Sequence, residues 1–352
     1  MKNFLQLHCL VAYGPANLNR DDLGRPKTAT FGDTTRLRIS SQSLKRAWRE
    51  AFKVDFAGEH GVRTKRLAIS YFYDLLIAKG CDAKTAEGWA AKVAAQFGKP
   101  KKADAKNPLQ QLEVETLVFV GPDEISAVEA LADTCMKQKS EPTAEQLKLL
   151  RAKPAAVDIA LFGRMLADAP EFNVEAAAQV AHAITVHPAE PEEDYFTAVD
   201  DLNRRDESGS SHIGEAGFGA GVFYLYICVS RDLLLDNLRG DKALAARAIR
   251  ALIATACTVA PTGKQNSFAS RSRAFFAQAE LGDAQPRQLS VAFLKTPRGA
   301  DGDLARDAIK ALQGVQDGMD KVYGKSEERC TMNALDGAGT LEALLTFAVS
   351  DL

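Results

Sequence analysis

The chain has 352 residues with 46% hydrophobic and 26% charged side chains, enough to bury a large core without disulfide or metal staples. That balance excludes disorder, collagen and coiled coil. The net charge is only -2, yet residues 1–53 hold ten Lys/Arg against four Asp/Glu, which leaves 34 against 42 in the rest.

The first apolar run, Phe4 to Val11, is interrupted by Gln6 and His8 and is a poor signal-peptide core. No run reaches the roughly 20 residues of a membrane span. The six cysteines are at least 29 positions apart, so no zinc knuckle or Cys-x-x-Cys can form locally. A reducing cytoplasm with thiols used as small core residues fits this pattern.

Phe4–Tyr13 reads as a strand, with Leu5, Leu7, Cys9 and Val11 on one face, and Gly14-Pro15 is expected to end it. Residues 15–35 form a polar, Gly/Pro-punctuated loop of a length usually associated with function. After Arg36–Ile39, a helix follows Ser40-Ser41. Leu44, Ala47, Trp48, Ala51 and Phe52 recur at helical spacing as one buried stripe. Lys45, Arg46, Arg49 and Lys53 take the other side, and Ser40 or Ser41 caps the N-terminus. From Thr34 to Arg49 there are five cations and no acid, so a capped helix start meets a cationic face, which suits phosphate oxygens. Five phosphate contacts would give a log-affinity salt slope of about -3.5, at about -0.7 per single-strand contact.

Residues 58–183 read as a helical insertion, with helices expected at 67–79, 84–97, 126–139 and 144–152. Residues 187–207 carry eight acids, and the small residues from Ser208 to Gly214 suggest a mobile or ligand-ordered loop. Val222–Val229 is apolar on both faces and reads as a central strand. A helix over 241–259, strands over 267–278 and 288–294, and helices over 305–322 and 340–349 follow. With the insertion excised, the order of elements is that of an α+β sandwich of the ferredoxin-like kind.

Gly263-Lys264-Gln265 lacks the upstream glycine and the hydroxyl of a nucleotide loop. His182 and His187 are five apart, which favours capping or core roles over zinc ligation. Asp21-Asp22 and Asp200-Asp201 offer oxygen ligands for Mg²⁺ and phosphodiester cleavage, the competing reading, although loop caps and salt bridges explain them more cheaply. Gly217–Phe223 has part of the RRM pattern, but Ala220 stands where a stacking aromatic is needed, so base stacking on the sheet face is not expected.

Several segments, taken together and in order, carry a family resemblance. They are Leu18–Asp22, Arg38–Ala47, Val157–Met165, Ala181–Thr185 and Asp194–Leu202. On these the chain resembles CasC, the repeated backbone subunit of the type I-E CRISPR Cascade surveillance complex. The resemblance implies an α+β protein with an RRM-like (ferredoxin-like) palm at 1–57 and 222–352, helical fingers at 58–184 and a thumb loop at 185–221. It implies head-to-tail copies along CRISPR RNA, no cleavage activity and no cofactor. The implied partners are CRISPR RNA, target DNA through the guide, the large subunit CasA, the small subunit CasB, CasD and the crRNA-processing CasE, with no membrane.

Carried over by position, Arg20, Lys27, Arg38, Ser40, Gln42, Lys45, Arg46 and Arg49 would lie along the RNA backbone. Met165 would sit by a kinked nucleotide, and Thr197 and Ile213 would hold the displaced base from the thumb.

Overall fold

A computed structural model of the chain describes residues 1–197, 213–298, 302–325 and 327–352. Two compact units emerge: Met1–Phe52 with Gln179–Ser230 and Ile249–Leu352, and Lys53–Ala178 with Arg231–Ala248. Among the described residues no helix is long and apolar enough to cross a membrane.

The first unit is built on an antiparallel sheet. Its first strand, β1 (Phe4–Ala16), lies between the long strand Ile213–Ser230 and the strand Ala274–Gly282. Beyond Ile213–Ser230 come the strand Ala183–Thr185, then β3 (Thr34–Ile39), then β2 (Thr28–Phe31); Glu328–Asn333 forms the opposite edge. Taking β1, Ala183–Thr185, Ile213–Ser230 and Ala274–Gly282 as first to fourth strands, the spatial order is fourth, first, third, second. With helix α1 (Ser41–Phe52) after the first and the helix Lys242–Thr258 after the third, this is the ferredoxin-like arrangement.

Strand β1 is buried on both faces, which departs from the half-polar strand expected from Gln6 and His8. Leu10 belongs to a core with Tyr224, Phe276 and, from the helix Leu304–Tyr323, Ala308, Ile309 and Leu312. The helix Leu304–Tyr323 thus covers the face on which an RRM stacks its bases, so stacking there is not available to this fold. Gln6 and His8 are satisfied inside. Gln6 Oε1 accepts from Tyr226 Oη at 2.8 Å and from the Arg287 N–H at 2.8 Å. His8 meets Tyr224 Oη at 2.9 Å and Glu280 Oε2 at 3.3 Å.

Glu280 is the hub of this buried network, since its Oε1 also accepts from Gln316 Nε2 at 2.5 Å and Arg329 Nε at 2.6 Å. Burial alone would raise its carboxyl pKa, but the hydrogen bond and charge of His8, with Arg329 and Arg287, outweigh burial and hold it at about 2. A depressed carboxylate contributes stability above its unfolded value of 4.5 and loses it as pH falls toward 2. In urea unfolding, the wild type is expected to weaken steeply from pH 4.5 to 2, and Glu280→Gln to be less stable at pH 7 with a flatter acid limb. An acid limb unchanged by the substitution would remove Glu280 from this role.

Several expected elements shift. Gly14-Pro15 does not end β1; the strand continues to Ala16 through a register shift between Tyr13 and Ala16. The presumed loop over 28–35 is a hairpin of β2 and β3, turned by Gly32 and Asp33 at φ 65° and 60°. Two positive-φ residues form the tight turn whose twist matches paired strands. Residues 144–152 form turns rather than a helix, because Pro142 and the short apolar run give no full amphipathic face. Residues 288–294 carry a 3-10 turn, Ser290–Phe293, not a strand, and of the strand expected over 267–278 the first part is the end of a short helix, Gln265–Phe268, and an irregular run, the strand beginning at Ala274. Strand Glu328–Asn333 had no sequence counterpart.

The second unit is largely helical and has its own core, including Phe72, Leu76, Ala90, Val93, Val128 and Leu131. The helices Ala83–Phe97 and Pro122–Gln138 supply much of it, with a small ribbon of Val62–Thr64 against Val118–Val120. All six cysteines are free thiols, four of them buried.

Candidate nucleic-acid interface

Loop 17–27 is tied down by its own polar residues rather than left loose. Buried Asn17 donates from Nδ2 to Gly24 O at 3.0 Å and to Gly217 O at 2.7 Å. A Cβ at position 217 would lie 2.9 Å from Pro26 Cδ, so glycine permits this close crossing of loop and strand. Asp21 Oδ1 accepts from the N–H groups of Leu23 and Arg25, each at 2.9 Å, and thus caps the loop. Asn19 Oδ1 accepts from the Ser40 N–H at 2.8 Å, which fastens the loop to the start of α1.

Ser40 is the N-cap, its Oγ accepting from the Ser43 N–H at 3.3 Å. The helix is rotated relative to the sequence reading: Leu44, Trp48, Arg49 and Phe52 are buried, whereas Ala51 is exposed. Arg49 therefore lies on the packed side, 5% exposed. Arg36, counted among the five cations of the stripe, is also buried, and the five-contact salt slope does not hold for the set that included it. Its guanidinium donates to three carbonyls, Phe31 O at 3.2 Å, Thr185 O at 3.1 Å and Phe293 O at 2.8 Å.

The rotation opens the Ser43–Arg46–Ala47–Glu50 side of α1 onto a cavity of about 750 Å³. Its other walls are loop residues Leu18 to Asp21 and the turn Thr262-Gly263-Lys264. Two positions carried over from the family, Arg20 and Arg46, meet here with Lys264, against the acids Asp21 and Glu50. Lys264 escaped the sequence reading because its turn was weighed only as a nucleotide loop; the signal was an isolated Gly-Lys turn. A Cβ at position 263 would fall 2.4 Å from Leu18 O and 2.5 Å from Asn17 O, so only glycine lets the turn close against the loop.

Gln42 is exposed and Lys45 half-buried on the same helix. Lys27 and Arg38 form a second cluster: the Arg38 N–H donates to Lys27 O at 2.8 Å, and Arg38 Nη1 reaches His182 Nδ1 at 2.9 Å. Partial desolvation, then the Arg38 and Lys27 charges, push the His182 imidazole below its ordinary range, so it accepts from Arg38 as a neutral ring. His182 is thus an exposed partner of a cation, not a core residue, whereas His187 Nε2 accepts from the Val222 N–H at 3.3 Å.

Strand Glu192–Thr197 pairs with the start of Ile213–Ser230, and Thr197 and Ile213 are direct cross-strand partners in the backbone. The acids Asp200-Asp201 and the Ser208–His212 segment lie outside the described residues. Among the described residues no group of three or more His, Cys, Asp or Glu side chains could hold a metal ion.

In the second unit, Met165 is 83% exposed. The residues before it are buried: Asp158 Oδ1 accepts from the Gly61 N–H at 2.7 Å, and Asp158 Oδ2 lies 3.2 Å from His60 Nε2. Arg164 Nη1 reaches both oxygens of Glu124, at 2.9 and 2.8 Å. The run Val157–Met165 is therefore mostly a pedestal, with Met165 the exposed large apolar residue at its end.

Two solved structures resemble the chain over 99% of its length. One, described as a CRISPR RNA-guided surveillance complex, pre-nicking, is 30% identical over 99% of the matched chain, with a TM-score of 0.82. The other, described as a CRISPR RNA-guided surveillance complex, is 25% identical over all of the matched chain, with a TM-score of 0.74. No curated protein matches. Fold and likeness together define a CasC-like protein of the CRISPR Cascade class. A family model for CT1975-like proteins matches residues 5–348, and the chain belongs to that family.

Proposed function

We propose that the chain is a noncatalytic RNA-binding subunit that polymerises head to tail along CRISPR RNA as the backbone of a type I-E Cascade complex. It would present the guide for pairing with target DNA, alongside CasA, CasB, CasD and CasE. The observation that carries this reading is the groove beside α1. Arg20, Arg46 and Lys264 converge there, and among the described residues no aromatic side chain lines it. Cations without a stacking platform hold sugar–phosphate and leave bases readable. The full-length likeness to surveillance-complex chains supports the same reading.

Within it, Arg20, Lys27, Arg38, Gln42, Lys45 and Arg46 contact the RNA backbone, while buried Ser40 and Arg49 act from beneath by fixing α1. Met165 abuts a kinked nucleotide, and Thr197 and Ile213 hold the displaced base. Palm, fingers and thumb take the boundaries 1–57 with 222–352, 58–184 and 185–221.

Labelled single-stranded RNA incubated with the chain and Mg²⁺ is expected to be bound and to stay intact on a denaturing gel. Cleavage that disappears in Asp22→Ala would replace this reading with a metal-dependent ribonuclease.

A further inference from the structure

Between the helix Lys242–Thr258 and the strand Ala274–Gly282 lies a stretch with three cations, Lys264, Arg271 and Arg273, and no carboxylate. Elsewhere in this unit Arg25 pairs with Glu193, Arg250 with Glu342, and Arg306 with Asp303 and Asp336. Arg271 and Arg273 are exposed and have no ion pair among the described residues. They line a cavity of about 510 Å³ with Thr258, Thr262, Gln265 and Ser272. Thr262 also lines the groove beside α1, so the two cavities adjoin.

The walls are held firmly. Lys264 and Ala269 both take positive φ, 44° and 50°, at either end of the short helix Gln265–Phe268. Ser272 Oγ donates to Ala12 O on β1. The C-terminus of the helix Lys242–Thr258 brings about half a negative charge to this place, against two full positive charges from the arginines. The surplus is cationic and calls for an anionic occupant.

We propose that Arg271 and Arg273, with Thr262 and Gln265, form a second sugar–phosphate site that continues the strand path out of the α1 groove. This rests on reading that groove as a phosphate site. Among the described residues no aromatic lines the cavity, so it holds backbone and not bases. Its lining side chains are polar or cationic apart from Val259 and Ala260, and its continuity with the groove favours a polynucleotide over an acidic peptide. RNA and DNA share the required phosphodiester chemistry.

The test measures affinity of the full chain for labelled single-stranded RNA, and separately for DNA of the same sequence, across a salt series. Arg271→Gln with Arg273→Gln is expected to flatten the log-affinity slope by about 1.4, from about 0.7 per lost contact. Arg46→Ala, on the wall of the α1 groove, serves as its reference and is expected to flatten the slope by about 0.7. A change with RNA, with DNA, or with both supports the site and names its source. If Arg46→Ala flattens the slope and the double variant does so with neither strand, the second site is overturned and the groove stands. If only the double variant acts, the α1 reading fails and the second site stands. Competition by polyglutamate that depends on Arg271 and Arg273, with both nucleic-acid slopes unchanged, would show an acidic-peptide site and overturn the proposal.

Discussion

Arg164→Leu is expected to lower the unfolding free energy by about 3–5 kcal/mol, because it strands the Glu124 carboxylate in a buried site without its counter-charge. The Arg164 and Glu124 side chains are both fully buried. The guanidinium also donates to carbonyls of Phe172 and Arg151, so one side chain closes several backbone gaps at once. Glu124 is itself occupied on its other side. Its oxygens accept from the Gly121 N–H at 2.9 Å, which lets Glu124 cap the start of the helix Pro122–Gln138 from its third position, and from the Arg151 N–H at 2.7 Å.

Pairing Arg164→Leu with Glu124→Leu is expected to recover part of the loss, since no buried charge then remains unpaired, but not all of it, since the cap is gone. Urea unfolding of the two single variants and the double variant gives the coupling directly. Equal, additive losses would show that the pair does not act as a unit. Arg164 immediately precedes Met165, so the pair also fixes the backbone that presents the exposed methionine. Loosening of that segment should appear as faster amide exchange at 163–166 before global unfolding.

The parts of this architecture that repeat at short range were readable from the sequence. The α1 boundaries follow from the Ser40 cap and the spacing of Leu44, Trp48 and Phe52. The α+β class follows from the order of elements once the insertion is set aside, although the strand Ala183–Thr185 escaped the sequence reading, because it falls at the end of the segment read as insertion. What escaped depends on neighbours distant in the chain. Gln6 and His8 look like a solvent-facing edge until Tyr224, Tyr226 and Glu280, more than 200 positions away, satisfy them.

Arg36 and Arg49 look solvated in a cationic run, because a sequence window does not show that Thr185 and Phe293 carbonyls await the first or that α1 turns the second inward. Lys264 is distant from Arg20 in sequence, and only the close approach of Gly263 to the Asn17 and Leu18 carbonyls brings them to one groove. The Gly32-Asp33 hairpin, by contrast, had a local signal. Two turn residues flanked by Thr-rich segments mark paired strands even inside a polar loop.

Reversing charge at Arg20, Lys45 and Arg46 together is expected to abolish RNA retention at physiological salt, whereas Arg36→Met should leave the salt slope intact and lower stability. The contrast follows from where the cations sit. With Arg36 and Arg49 buried, the accessible set is Arg20, Lys27, Arg38, Lys45 and Arg46 with Lys264 added, and six contacts would give a slope of about -4. Reversing three flattens that by at least about 2 and adds repulsion at each reversed position. Arg36→Met instead removes the guanidinium donor from three buried or half-buried carbonyls, at about 1–3 kcal/mol for one left unsatisfied. Anisotropy titrations over a salt series, beside urea unfolding of the same variants, separate the two effects. A triple variant that binds RNA with the wild-type slope would show that the strand does not run along α1, however favourable the charges look.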